Sequence, residues 1–456
     1  MLHDKTLRRI ATLLRGTLHL DQSVSVPELG SLFVRHGDKP LQRLKCQIAE
    51  AYGVPWAFLS TNGTTVLNIL ALLTACPRGG RVLLNRDAHV SAMAAIIHGE
   101  IQPTYFVPSF DDRLGVFLGP THQQVEAALA SSPGVDCIFL TSPNYFGIVG
   151  QVSEIIVLAH ERGCPVVVDA AHAPHFHFCK ILPTGAEDLG ADLITQSTHK
   201  VASALSQGSV MLVGDEKLID PLYENINDLG FISTSFSYPI LASIELGVGQ
   251  LFEEGEEIWR DTVGLAEWFR EQARHISGVR PFGHEAAGAA GFQDFDRTRV
   301  AIDVSETGIT GFAFEDLLIE EGIYPEMATL TTVLFLLTPG TSLAHARMLL
   351  SAVERVASKG GRNGRLVAPR PPAVPALALI PREAKYAPKR VMPIRDAVGE
   401  PSGETIATYP PGAPVIVAGE VVTCEVLDFL NLMKGHGAVL KGASDPSFRT
   451  MKIVTS

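Results

Sequence analysis

An α/β fold on a mostly parallel sheet is what this chain predicts, and two observations carry the prediction. From about residue 40, short apolar runs alternate with longer helical periods. The runs are apolar along their whole length rather than at every second residue, as in strands covered on both faces. "LQRLKCQIAEAYG" reads as an amphipathic helix stopped by Gly53, "WAFLS" as a strand, and "TNGTT" as a turn into the apolar helix "VLNILALLTAC". "RVLLN", "QPTYFV", "DCIFLTSP", "PVVVD", "ADLITQ" and "SVMLV" follow as strands, with "SEIIVLAHERG" among the helices between them. From Leu241 to Arg274 the pattern turns long-helical. Residues 358–390 hold the densest Gly and Pro and read as a crossing segment. Beyond them, "APVIVAGEVVT" and "TMKIVTS" read as strands and "CEVLDFLNLMKGHG" as a helix. The expected organisation is an N-terminal segment 1–40, a large domain 41–285 and a smaller α/β domain 286–456.

Composition narrows the function. The 456 residues exceed what one core usually organises, and 46% of them are hydrophobic, too many for disorder. A net charge of −12 without a basic, aromatic-interleaved run makes nucleic acid and anionic membrane poor partners. The longest apolar stretches are too short to cross a bilayer. "MLHDKTLRRIATLLRG" lacks the continuous apolar core of a secretion signal. Six scattered cysteines without a C-x-x-C pair fit reduced thiols, so a soluble, cytoplasmic protein is expected.

Ligands of open parallel sheets sit outside the carboxyl ends of the strands, and three strand ends here carry chemistry. "STNGTT" (60–65) opens a helix, so free N–H groups around Gly63, with Thr64 and Thr65, suit a phosphate. A helix cap would look the same. Asp169 ends "PVVVD", and a carboxylate there needs a partner such as a protonated ring nitrogen. Lys200 ends "TQSTHK" after the next strand. A phosphate cradle, a carboxylate and a lysine on one rim match the needs of pyridoxal phosphate, with Lys200 as the Schiff-base lysine. Ser197 with His199 would help hold the phosphate.

"STNGTT", "NRDAHVS", "TSPNYFGIVG", "VVVDAAHAPHFHF", "GADLITQSTHK", "GIYPEMATLTTVLFLLTPG", "PREA", "YPPGAPVIVAGE" and "GASDP" together resemble the Orn/Lys/Arg decarboxylase family of fold-type-I pyridoxal-phosphate enzymes. The resemblance runs in order from about residue 40 to the C-terminus, and the length is similar to that of short members without the N-terminal wing domain. It implies a mostly parallel seven-stranded sheet, with His89 stacked on the cofactor ring, Asp169 pairing the pyridinium nitrogen and His172 beside the cofactor. It also implies a homodimer or higher oligomer with shared sites. "FISTSFSYPILASIEL" (231–246), apolar and rich in hydroxyls, is an interface candidate, with Ser235 and Ser237 serving the neighbouring site.

Four departures fall around the substrate rather than the cofactor. The family's "PGHKGG"-like stretch is absent, Ala170 replaces an acid, Val90 a lysine and Phe236 a proline. Glu420 in "VAGE" and Glu326 in "YPEMA" are candidates to meet a distal ammonium or guanidinium, Glu420 the better because its motif matches the family. His172, His175 and His177 crowd one loop without the spacing of a zinc motif, and no metal is expected. "FEEGEEIW" reads as a solvated helix end. The reading that follows is decarboxylation of a basic amino acid such as arginine, lysine or ornithine, through Lys200 and an intermediate whose electrons enter the protonated ring. The alternatives are another pyridoxal-phosphate reaction on an amino-acid-derived substrate (transamination, oxidative decarboxylation or a lyase step) and a non-catalytic regulatory relative.

Overall fold

The computed structural model describes residues 39–112, 115–229, 236–283, 289–361, 364–409 and 412–455. Its central sheet has seven strands: β1 (Trp56–Ser60), β2 (Arg81–Asn85), β3 (Gln102–Phe106), β4 (Cys137–Thr141), β5 (Val166–Asp169), β6 (Leu193–Gln196) and β7 (Ser209–Val213). They lie in the order β1-β7-β6-β5-β4-β2-β3. Strand β7 runs antiparallel to both neighbours, and every other pair is parallel. All seven correspond to runs marked as strands in the sequence.

Period-two alternation explains why these runs are apolar throughout. Val166 and Val168 face one core with Ile138, Leu140 and Ile194. Val167 faces the other, with Phe139, Leu193 and Met211. Helix α1 (Lys39–Ala51) covers the first face through Leu44 and Ile48, and α2 (Thr64–Ala75) covers the second through Leu67 and Leu70. At about 25 cal/mol per Å² of buried apolar surface, a residue in either layer contributes to stability whichever way it points.

A 36-residue helix, α3 (Tyr238–Ala273), ties this layer to the next. Its Trp259 and Val263 belong to the first core, whereas Ala266, Phe269 and Ala273 belong to a third. That third core lies against a four-stranded antiparallel sheet of β8 (Arg280–Pro281), β9 (Arg299–Asp303), β10 (Met327–Ala328) and β11 (Thr332–Leu336), ordered β8-β9-β11-β10. Reading the sequence for parallel-sheet runs passed over this sheet. The expected boundary at 285/286 lies outside the described residues, and β8 precedes it. In the Gly/Pro-rich segment a short helix, Pro381–Tyr386, forms where Pro381 sits at the first helical turn. The last part carries a strand pair, Lys389–Pro393 with Thr450–Val454, and a small sheet centred on Ile406–Tyr409 beside the helix Cys424–Gly435.

Two expectations are corrected here. "FEEGEEIW" is not a helix end, because α3 continues through it. Phe252 is exposed and Trp259 fully buried, as the two faces of one helix require. Gly255 sits where a Cβ would come within 2.7 Å of the Phe178 Cβ, so it marks close packing rather than termination. In the interface candidate, Leu241 and Ile244 are buried within the chain's own first core, which removes their apolar character as a reason for a second subunit. Residues 231–235 lie outside the described residues.

Candidate active site

The carboxyl ends of the parallel strands form one rim. Thr141 at the end of β4 pairs in register with Asp169 at the end of β5, and Asp169 pairs with Thr195 on β6. Strand β1 ends on the same rim, so the turn after it brings the first residues of α2 there. The sequence dictates this arrangement through strand polarity alone.

Gly63 precedes α2 with φ 80°, a left-handed conformation that favours glycine, and no side chain caps this helix. Its first N–H groups are therefore available to an anion. Thr64 Oγ1 lies 2.6 Å from Ser197 Oγ, so one buried hydroxyl from each side meets at that end. Thr65 is exposed at the same turn. His199 stands differently from the expectation. Its Nδ1 donates to the Gly208 carbonyl at 2.8 Å, and burial lowers its pKa. A neutral ring then offers only an acceptor at Nε2, which leaves the helix N–H groups and one proton of the Thr64–Ser197 hydroxyl pair as the donors.

Lys200 stands in the short helix Thr198–Val201 that follows β6. Its Nζ is 2.9 Å from His172 Nε2 and 5.5 Å from the centre of the Tyr145 ring. Burial lowers the Lys200 pKa; the charge of Asp169 opposes this, Arg299 adds to it, and Glu326 opposes it. The same burial, with Lys200 and Arg299 nearby, holds His172 well below the ordinary histidine range. His172 Nδ1 is buried without a partner among the described residues. An amine drawn toward its neutral form beside a neutral imidazole is a nucleophile prepared by its surroundings.

Asp169 is 4% exposed, and each of its oxygens accepts one hydrogen bond. Its Oδ1 accepts from Ala171 N at 3.1 Å and its Oδ2 from Asn68 Nδ2 at 2.8 Å. His89 Nδ1 meets Ser91 Oγ at 2.8 Å, and burial lowers the His89 pKa, with Asp169 opposing and Lys200 adding.

The two glutamates part company. Glu420 is 1% exposed, and both its oxygens are taken by Arg86, Nη1 to Oε1 at 2.6 Å and Nη2 to Oε2 at 2.8 Å. Val417 N donates to Oε2 as well, at 2.7 Å. The preference for Glu420 over Glu326 as the contact to a distal cation is therefore corrected: its carboxylate is buried and already neutralised by Arg86. Glu326 is exposed, and its charge acts on both Lys200 and Tyr145. The three histidines of the post-β5 loop also diverge. His172 meets Lys200, His175 meets Asp296 at 3.2 Å against the Trp259 ring, and His177 meets Asp188 at 2.9 Å. Ser237 precedes α3 without capping it, and Ser235 lies outside the described residues.

The residues that sequence reading missed are Asn68, Ser91, Tyr145, Arg86 and Arg299. Asn68 had a signal: one amide in the otherwise apolar "VLNILALL", four residues after Thr64 and so on the same helix face. Arg299 had none, since its place under His172 depends on a sheet whose strands were not recognised.

The rim's donor set fits pyridoxal phosphate: an uncapped helix end with two hydroxyls, an engaged carboxylate and a lysine drawn toward neutrality. Comparison with known proteins points the same way. The family model described as "Orn/Lys/Arg decarboxylase, major domain" matches residues 15–345, beginning 25 residues before the stretch recognised in the sequence. An arginine decarboxylase of Halalkalibacterium halodurans is 32% identical over 436 residues, covering 94% of this chain and 88% of that protein. Among solved structures, the constitutive lysine decarboxylase of E. coli superposes with a TM-score of 0.75 at 21% identity, over 90% of this chain and 72% of that one. A structure of SPT with PLP gives 0.55 at 15% identity, over 69% and 76% of the two chains. The fold is that of the fold-type-I pyridoxal-phosphate enzymes, and the chain belongs to the Orn/Lys/Arg decarboxylase family.

Proposed function

We propose that this chain is a pyridoxal-phosphate-dependent decarboxylase of a basic amino acid, with arginine the first substrate to test. The observation that carries the reading is the Lys200 amine, lowered in pKa by burial, 2.9 Å from His172 Nε2 on the rim that also holds Asp169. Arginine comes first because the H. halodurans relative is an arginine decarboxylase.

Bound on this rim, pyridoxal phosphate supplies an electron sink for the bond between Cα and the carboxylate. The chain's own residues do the rest. Thr64, Thr65 and Ser197 would hold the phosphate at the turn that Gly63 shapes, its own N–H being taken by the Gln207 carbonyl at 2.9 Å, and Lys200 Nζ would hold the aldehyde carbon. Asp169, held by Asn68 and the Ala171 N–H, would hold the proton on the ring nitrogen. His89 covers one ring face. Lys200, released when the amine of the substrate takes its place, would exchange a proton with His172 and would return one to Cα. Glu326 meets the distal cation of the substrate, in place of Glu420. The functional unit is a homodimer in which Ser235 and Ser237 serve the partner's site. The large unit 41–285 carries the cofactor, and 286–456 closes the substrate side.

The test is to titrate purified protein with pyridoxal phosphate, follow the visible absorption, and then offer arginine, lysine and ornithine. We expect a visible band that Lys200→Ala abolishes, with carbon dioxide and the corresponding amine from one of the three. A protein that stays colourless, or one that binds cofactor but releases carbon dioxide from none of them, refutes the proposal.

A further inference from the structure

Asn68 lies in the second core, 2% exposed, and every hydrogen-bonding atom of its amide is used. Its Nδ2 spends one proton on Asp169 Oδ2 at 2.8 Å and the other on Ser91 Oγ at 2.9 Å. Its Oδ1 accepts from Thr195 Oγ1 at 2.5 Å. Chemistry settles the orientation of the amide. Turned over, it would set its oxygen against the Asp169 carboxylate, two acceptors with no proton between them.

Ser91 Oγ accepts from Asn68 at 2.9 Å and lies 2.8 Å from His89 Nδ1. The Ser91 backbone N–H points at the same nitrogen at 3.2 Å. A backbone N–H can only donate, so Nδ1 is the acceptor, the Ser91 hydroxyl turns its proton toward it, and a neutral His89 carries its proton on Nε2.

We propose that Asn68 is a positioning residue for this site: one amide holds the Asp169 carboxylate and, through the Ser91 hydroxyl, supports the Nε2–H tautomer of His89. This rests on the cofactor reading given under Proposed function. Three elements meet at it, α2 through Asn68, β6 through Thr195 and the helix Ser91–His98 through its first residue. The carboxylate and the imidazole thus share one group, beside the Ala171 N–H on Asp169 and the Ser91 N–H on His89.

Two variants separate the branches. Asn68→Asp keeps the shape, replaces the donor with an acceptor and places a second carboxylate against Asp169. Ser91→Ala removes only the relay to His89. Cofactor dissociation constants are read from the visible titration, and the His89 ring nitrogens from ¹⁵N-histidine spectra of the cofactor-free protein, assigned by their loss in His89→Gln. For Asn68→Asp we expect affinity to fall roughly tenfold or more, the scale of a hydrogen bond to a charged group. We also expect the His89 Nδ1 signal to leave the unprotonated range. In Ser91→Ala the His89 signal moves while affinity changes less than about threefold, since the bond to Asp169 remains. A folded Asn68→Asp protein in which either reading stays at its wild-type value overturns the proposal. Should that variant not fold, Thr195→Val, which frees only Oδ1, should move both readings the same way by smaller amounts, and no movement overturns it equally. If the wild-type chain takes up no pyridoxal phosphate, the cofactor reading falls. The histidine spectra still decide whether Asn68 sets the tautomer.

Discussion

Glu420→Gln separates a structural carboxylate from a substrate-binding one. Its side chain and that of Arg86 are 1% and 7% exposed and share two hydrogen bonds of 2.6 and 2.8 Å. Arg86 also donates to the Val415 carbonyl at 3.0 Å and lies 4.7 Å from the Tyr105 ring centre. The substitution keeps the volume but leaves one oxygen where two accepted three donors, so the guanidinium stays buried without its counter-charge. Breaking a buried pair in this way costs about 3–5 kcal/mol. Replacing both partners with apolar groups, Arg86→Met with Glu420→Leu, should recover much of that loss, because neither charge is then desolvated. The assay is urea unfolding of the cofactor-free protein for the four members of the cycle, alongside KM for the best substrate. We expect Glu420→Gln to shift the unfolding midpoint strongly while changing KM less than about threefold. Unchanged stability with a KM raised about tenfold or more would refute the buried-pair reasoning and return Glu420 to the substrate.

Other substitutions probe the rim and the frame. Asp169→Asn should still bind pyridoxal phosphate but lose turnover by orders of magnitude, because an amide cannot hold the ring nitrogen protonated; near-normal turnover measured at saturating cofactor would disprove its electronic role. Burial lowers the Lys200 pKa from 10.5, so the unfolded chain binds that proton more tightly than the folded one. Stability of the cofactor-free protein should therefore rise with pH from the lowered value up to 10.5, and Lys200→Met should remove that part of the slope in unfolding measured at several pH values. Gly255→Ala should destabilise by about 1–3 kcal/mol through overpacking against Phe178, despite alanine's better helix propensity, as thermal unfolding would show. Sedimentation at working concentration should find at least a dimer, and a monomer with full activity would reject the shared site.

The fold was legible where its physics is local. Each strand of the central sheet is a short apolar run because both faces are covered, and that pattern survives in one dimension. The second sheet was not legible for the same reason turned round. Strands β8 and β10 have two residues each and gain meaning only by pairing with β9 and β11. "FEEGEEIW" misled because charge and glycine signal a helix end in isolation. Only the approach of Phe178, 77 positions before Gly255 (255 − 178), shows that glycine serves packing there.

The site divides along the same line. Lys200, Asp169 and the turn at Gly63 could be found because each sits at a strand end, and strand ends are read from sequence. What gives them their properties comes from elsewhere in the chain. The lowered pKa of Lys200 depends on burial and on Arg299, 99 positions away (299 − 200). The donor to Asp169 comes from Asn68, 101 positions away. The partner that removes Glu420 from the substrate is Arg86, 334 positions away. Glu420 was preferred because a carboxylate in a matching motif was weighed without its counter-ion. A motif records which groups are present, but whether a charge is free to meet a ligand is decided by what already neutralises it. Glu326, exposed and with its field reaching Lys200, meets that condition, and Glu420 does not.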